Sequence, residues 1–185
     1  MSDNRKLAVI FPGIGYHKDK PLLYYAGKLL RNAGYELLPV GYHDMPQKIR
    51  GDREMMRQAA LLAYAQSCEQ LEGTDLSAYD NLMFVGKSIG TVALEKYAAD
   101  HELRVRRIWY TPVEATLSYG AGDVIAFIGD ADPWSDVDAV KHLAAKRGIR
   151  LFSYPDCDHS LECGDVDRNL GILREVMRIT AEFIG

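Results

Sequence analysis

Long hydrophobic runs are missing from this chain of 185 residues. No apolar stretch approaches the roughly 20 residues that a membrane-crossing helix requires, so no membrane partner is expected. Cysteine is scarce as well. Cys68, Cys157 and Cys163 are an odd number in a chain too long for a disulfide scaffold, which points to reduced thiols in a cytoplasmic setting. Met1 to Lys6 is polar, and the apolar run Leu7 to Phe11 is cut by Pro12 and Gly13, too short for the core of a secretion signal. An excess of either charge is also lacking. Lys and Arg total 22 against 26 Asp and Glu, and the net charge of −4 is scattered along the chain, which argues against nucleic acid as a partner. Repeats, linkers and low-complexity tracts do not occur, and the 48% apolar content excludes the composition of a disordered chain.

What is present suits one domain over residues 1–185. A domain of this length buries roughly 70% of its unfolded surface, so it can fold without disulfides or a structural metal. Short apolar runs alternate with segments whose apolar residues recur every three or four positions. The runs Leu7 to Phe11, Tyr35 to Val40, Leu82 to Val85, Val105 to Tyr110, Val124 to Ile128 and Arg150 to Tyr154 read as strands. Their near-continuous hydrophobicity means both faces are covered, as in a parallel sheet with helical crossovers. An α/β fold follows, with about six mostly parallel strands and helices on both faces.

The intervening helices carry their end signals. Pro21 opens the first and Gly34 stops it. Asp52 caps the second, whose buried stripe is Met55, Ala59, Leu62 and Ala63, with Gln66 where that face meets solvent. A third starts near Ile89. Ser135 is the expected cap of a fourth, with Asp136 and Asp138 in its first turn, Lys146 and Arg147 in its last, and Gly148 as its stop. The last, about Asn169 to Ile184, is expected to bury Leu170, Leu173, Met177, Ala181 and Ile184.

The chemistry concentrates at one junction. The strand Leu82 to Val85 runs into Gly86-Lys87-Ser88-Ile89-Gly90, and a helical pattern follows at once. A sharp strand-to-helix turn strains the serine backbone and crowds the neighbouring chain, which is why glycine flanks it on both sides. The serine hydroxyl then stands at a helix N-terminus, whose free N–H groups favour a developing oxyanion. A nucleophile needs a base, and the base needs an orienting carboxylate. Both types occur after later strands, in Gly129-Asp130-Ala131-Asp132-Pro133-Trp134 and in Pro155-Asp156-Cys157-Asp158-His159-Ser160.

In this order, Ser then Asp then His, the chain resembles the α/β-hydrolase superfamily over nearly its whole length. Its small lidless members, dienelactone-hydrolase-like and carboxylesterase-like, are the most similar, although dienelactone hydrolases proper use cysteine where Ser88 stands. The resemblance implies a minimal α/β-hydrolase fold lacking the two antiparallel N-terminal strands and the lid domain. It implies Ser88 as nucleophile, His159 as base, and Asp132 in preference to Asp130 as the acid. It places the oxyanion hole at the backbone N–H groups of Ile89 and Ile14, with Gly13 the alternative to Ile14. Tyr16, Thr111, Pro112, Glu114 and Trp134 follow strand ends and are expected at the mouth, where open α/β sheets bind ligands; His17 is a further candidate for substrate contact. Lys87 is expected to pair with an acid under the sheet.

Other motifs fall short. Cys157, His159 and Cys163 lack a fourth ligand for zinc. Asn81 stands where a phosphate-binding P-loop needs its first glycine, and Lys18 where a dinucleotide loop needs its third. No metal or cofactor is expected. The reading is a serine hydrolase that cleaves a small or exposed carboxylic ester or thioester through an acyl-serine, with water as second substrate. A non-catalytic ligand- or partner-binding protein of the same fold and an amide or peptide hydrolase stay open. The physiological substrate and oligomeric state leave no mark in the sequence.

Overall fold

The computed structural model describes residues 4–119 and 122–185. Residues 1–3 of the polar N-terminal stretch, and residues 120–121 of the connection after the fourth strand, lie outside that description. Six strands form one sheet: β1 (Lys6–Phe11), β2 (Glu36–Pro39), β3 (Asn81–Lys87), β4 (Arg106–Tyr110), β5 (Val124–Gly129) and β6 (Arg150–Tyr154). The order is β2-β1-β3-β4-β5-β6, and every pair is parallel. The expectation of mostly parallel strands becomes wholly parallel because each connection carries a crossover.

Five α-helices, α1 (Pro21–Asn32), α2 (Arg53–Leu71), α3 (Ile89–Asp100), α4 (Val137–Lys146) and α5 (Val166–Ile184), and two 3-10 turns, Leu76–Ala78 and Glu114–Ser118, complete the elements of the described residues. The sheet divides the core in two. On one face Val9, Phe11, Phe84, Trp109, Ala126 and Ile128 pack with α2, α3 and α4; on the other Ile10, Met83, Val85, Ile108, Tyr110 and Phe127 pack with α1 and α5. Neighbouring strand residues point to opposite faces, so covering both faces accounts for the unbroken apolar runs.

Several helix details differ from expectation. Asp136, not Ser135, caps α4, its Oδ1 accepting the Ala139 N–H at 3.0 Å. The helix starts one residue later than expected, and the Ser135 hydroxyl donates instead to the Pro112 carbonyl at 3.1 Å. Gln66 is buried at the centre of α2's inner face. Its amide exchanges two hydrogen bonds with the His43 backbone, at 3.0 and 2.9 Å, which satisfies it inside. In α5 the helix begins at Val166, capped by Asp165, and the fully sheltered row is Ile172, Val176, Ile179 and Phe183. Leu170 is 59% exposed. Both rows have helical spacing, and the choice between them falls to the sheet.

Candidate active site

β3 ends in a tight turn that leads into α3. Ser88 takes φ 56° and ψ −125°, a strained conformation for a non-glycine residue. Its N–H donates to the Tyr110 carbonyl at 3.0 Å, and its carbonyl accepts from the Thr91 N–H at 2.9 Å and the Thr91 hydroxyl at 2.6 Å. The strain is thereby held from both sides. A Cβ on Gly90 would collide with the carbonyls of Phe11 and Pro12, and one on Gly86 would collide with Leu94. The glycines are spacers for close chain approach.

Two later strand ends deliver the other groups. After β5, the Asp132 Oδ1 accepts the Trp134 N–H at 2.8 Å, which fixes the carboxylate. After β6, Asp158 organises a tight loop by accepting the N–H groups of Ser160 and Glu162 at 2.7 and 3.1 Å. That loop points His159 inward. Its Nδ1 lies 2.6 Å from Asp132 Oδ2 and its Nε2 lies 2.7 Å from Ser88 Oγ. With the proton on Nδ1 donated to Asp132, Nε2 is left to accept the serine hydroxyl proton. The Trp134 ring stacks on the imidazole with centroids 5.7 Å apart. Asp130 faces elsewhere, paired with Lys141 at 2.8 Å and hydrogen-bonded to Ser153.

The loop after β1 lies alongside. A Cβ on Gly13 would stand 3.2 Å from Ser88 Cβ. The Gly13 N–H is already spent on the Tyr16 carbonyl at 3.1 Å. Among the described residues no acceptor takes the N–H of Ile14 or of Ile89, and both residues line the cleft with Ser88.

No protein-family model matches the chain, and no curated protein matches it in sequence. Solved structures do match. An α/β serine hydrolase homologue from Coxiella burnetii superposes with a TM-score of 0.69 at 15% identity, covering 98% of this chain and 86% of that one. An esterase from Pyrococcus furiosus gives 0.68 at 11%, covering 99% and 85%. An α/β serine hydrolase without a lid, from Xanthomonas campestris, gives 0.63 at 19%, covering 98% and 84%. The chain has the α/β-hydrolase fold.

Within that α/β-hydrolase fold, Ser88 and His159 open onto a cleft of about 300 Å³ lined by Ile14, Tyr16, Lys20, Arg50, Met56 and Trp134 among others. Of the residues expected at the mouth, Tyr16 and Trp134 line this cleft. His17 does not. It is exposed, 3.6 Å from Asp19, in a separate depression. Thr111 is also misplaced. It is wholly buried with its N–H donated to the Phe127 carbonyl at 2.7 Å, because the chain turns inward there at φ 45°. Pro112 is buried as well, and Glu114 lies in an adjoining groove, its Oε1 accepting the Asp136 N–H at 2.8 Å.

Lys87 has no acid partner among the described residues. Its side chain is buried, with Nζ 4.8 Å from the Tyr16 ring centroid, a cation–π contact in place of the expected ion pair. Burial pushes its pKa down to about 7, against the raising fields of Asp132 and Asp158. Burial and then the charge of Lys87 push His159 down to about 4, against the hydrogen bond to Asp132. An imidazole is thus held neutral through the physiological range. Lys20 and Arg50 lie on connections whose sequence has no helical or strand period, which is why pattern reading passed over them.

Proposed function

We propose that this chain is a serine hydrolase acting on carboxylic esters or thioesters through an acyl-serine. One observation carries the reading: the unbroken hydrogen-bond chain from Ser88 through His159 to Asp132 at a cleft, next to two unspent backbone N–H groups. In this reading His159 Nε2 takes the hydroxyl proton as Ser88 Oγ bonds to the substrate carbonyl carbon. The carbonyl oxygen becomes an anion and receives the N–H groups of Ile14 and Ile89. Asp132 orients the imidazolium and stabilises its charge. The imidazolium returns its proton to the leaving oxygen or sulfur as that bond breaks. Water, deprotonated by the same imidazole, then releases the acid and restores Ser88.

Between β4 and β5 the described residues form a short 3-10 turn, Glu114–Ser118, and in this reading the connection is too short for a lid. An uncovered cleft favours small or exposed acyl groups over long lipids, which need an apolar cover to exclude water. The test is a panel of short p-nitrophenyl esters, acyl thioesters and amides. Saturable turnover of an ester or thioester, reduced at least about a thousandfold in kcat/KM by Ser88→Ala, supports the reading. Turnover that survives the substitution overturns it.

A further inference from the structure

The cleft beside Ser88 carries more positive charge than its own residues neutralise. Lys20, Arg50 and Lys87 all line it, against the carboxylate of Asp158, which its own loop engages, and that of Asp132 behind His159. Among the described residues no carboxylate oxygen stands within 4.0 Å of any of the three cations. Lys87 is the telling member. It is 1% exposed, its side chain makes no hydrogen bond among the described residues, and its ammonium rests on the Tyr16 ring. Lys20 brings a second ammonium to that ring, 5.8 Å from the centroid. Tyr16 is itself fixed, its hydroxyl accepting the Leu22 N–H at 3.1 Å.

Burying an unpaired ammonium is costly, and an aromatic face returns only part of the lost hydration. A methionine would fill the same space without the penalty. The carboxylates of Asp132 and Asp158 act on the Lys87 ammonium from beyond ion-pair distance, so an anion entering the cleft would hold the protonated form more strongly. The cleft joins a groove of about 590 Å³, with Met56, Ile89, Pro133 and Trp134 shared between the two. Ala60, Leu61, Val92 and Val113 extend it as a largely apolar surface, with Arg53, Arg57, Glu114 and Asp136 also in its lining.

We propose that the ester taken by the Ser88 site bears an anionic group, a carboxylate or a phosphate, held by Lys87 at the cleft floor and by Lys20 and Arg50 at its rim, with the apolar part of the molecule in the adjoining groove. The cleavage step rests on the serine hydrolase reading above; the anion site does not. Opposite charges fixed in a cleft raise both encounter rate and discrimination against neutral analogues.

Two esters of similar length, p-nitrophenyl pentanoate and the mono-p-nitrophenyl ester of glutarate, test the preference. The expected result is a kcat/KM higher by about tenfold or more for the glutarate ester, with that ratio collapsing in Lys20→Ala/Arg50→Ala and at high salt. A ratio at or below one overturns the anion site while turnover of the pentanoate leaves the hydrolase reading intact. Binding supplies a readout free of the chemistry: titration of Trp134 fluorescence in the full chain with glutarate and with inorganic phosphate. A saturable change, weakened about tenfold in the double variant, supports the site, and the tighter ligand tells carboxylate from phosphate. Absence of a saturable change with either anion overturns it, even if both esters prove inert.

Discussion

At Ser88 the local backbone and the neighbouring charges are arranged against stability. The serine sits in a strained conformation, and one residue before it a lysine is buried with no ion-pair partner among the described residues. Lys87→Met isolates that second cost. Removing the cation also removes a field that disfavours the imidazolium, so the His159 pKa should rise. In the native chain the acid limb of kcat/KM is expected near 4, well below the 6.5 of an unperturbed histidine, and it should move upward in the variant. A limb near 6.5 in both chains would contradict the electrostatic reading. Stability gives an independent check. Folded Lys87 releases its proton near 7 and the unfolded chain near 10.5, so between these values the unfolded state binds the extra proton and native stability rises with pH. The variant should lack that rise and should melt about 5 °C higher or more at neutral pH. The two carboxylates after β5 separate as cleanly. Asp132→Asn should lower kcat by about 10⁴-fold through the wrong histidine tautomer, whereas Asp130→Asn, which breaks an exposed pair with Lys141, should leave it within about twofold.

Among the elements, the strands were the most legible in the sequence. All six apolar runs became strands with ends shifted by two residues or fewer, and in the four inner strands burial on both sheet faces leaves little choice of residue. The elbow was equally plain, since glycine on both sides of Ser88 follows from the approach of Phe11, Pro12 and Leu94. Helix faces were harder. In α5 two apolar rows lie side by side, and periodicity alone cannot say which one meets the sheet. Val176→Ala should therefore cost about 1–3 kcal/mol, while Leu170→Ala should change the denaturation midpoint little. Equal losses at the two positions would mean that α5 is rotated from the orientation described. Gln66 was misread because a polar residue on an inner face gives no sign of its partner, here the backbone of His43.

Across the whole molecule, topology explains where the site falls. The strand order runs outward from β1 in both directions, to β2 on one side and to β3 on the other, so the loops after β1 and β3 diverge and leave a crevice at the carboxyl ends. Ile14 and Ser88 sit on those two loops, and the loops after β5 and β6 bring Asp132 and His159 to the same edge. Residues distant in sequence were legible as a group because each follows a strand. The rule failed for Thr111 and His17, where the chain turns inward in one case and outward in the other, and it passed over Lys20 and Arg50, which lie beyond strand ends. It also gave Lys87 the wrong surroundings, since a cation under a sheet calls for an acid that none of the described residues provides within ion-pair distance. The experiment that bears on the whole arrangement is intact mass after brief treatment with a fluorophosphonate, run on the native chain and on Ser88→Ala. Rapid labelling needs an activated serine, a neutral base and free oxyanion donors together. One adduct on the native chain and none on the variant is the expected result. A folded native chain that takes no adduct, or a variant that still takes one, would contradict it.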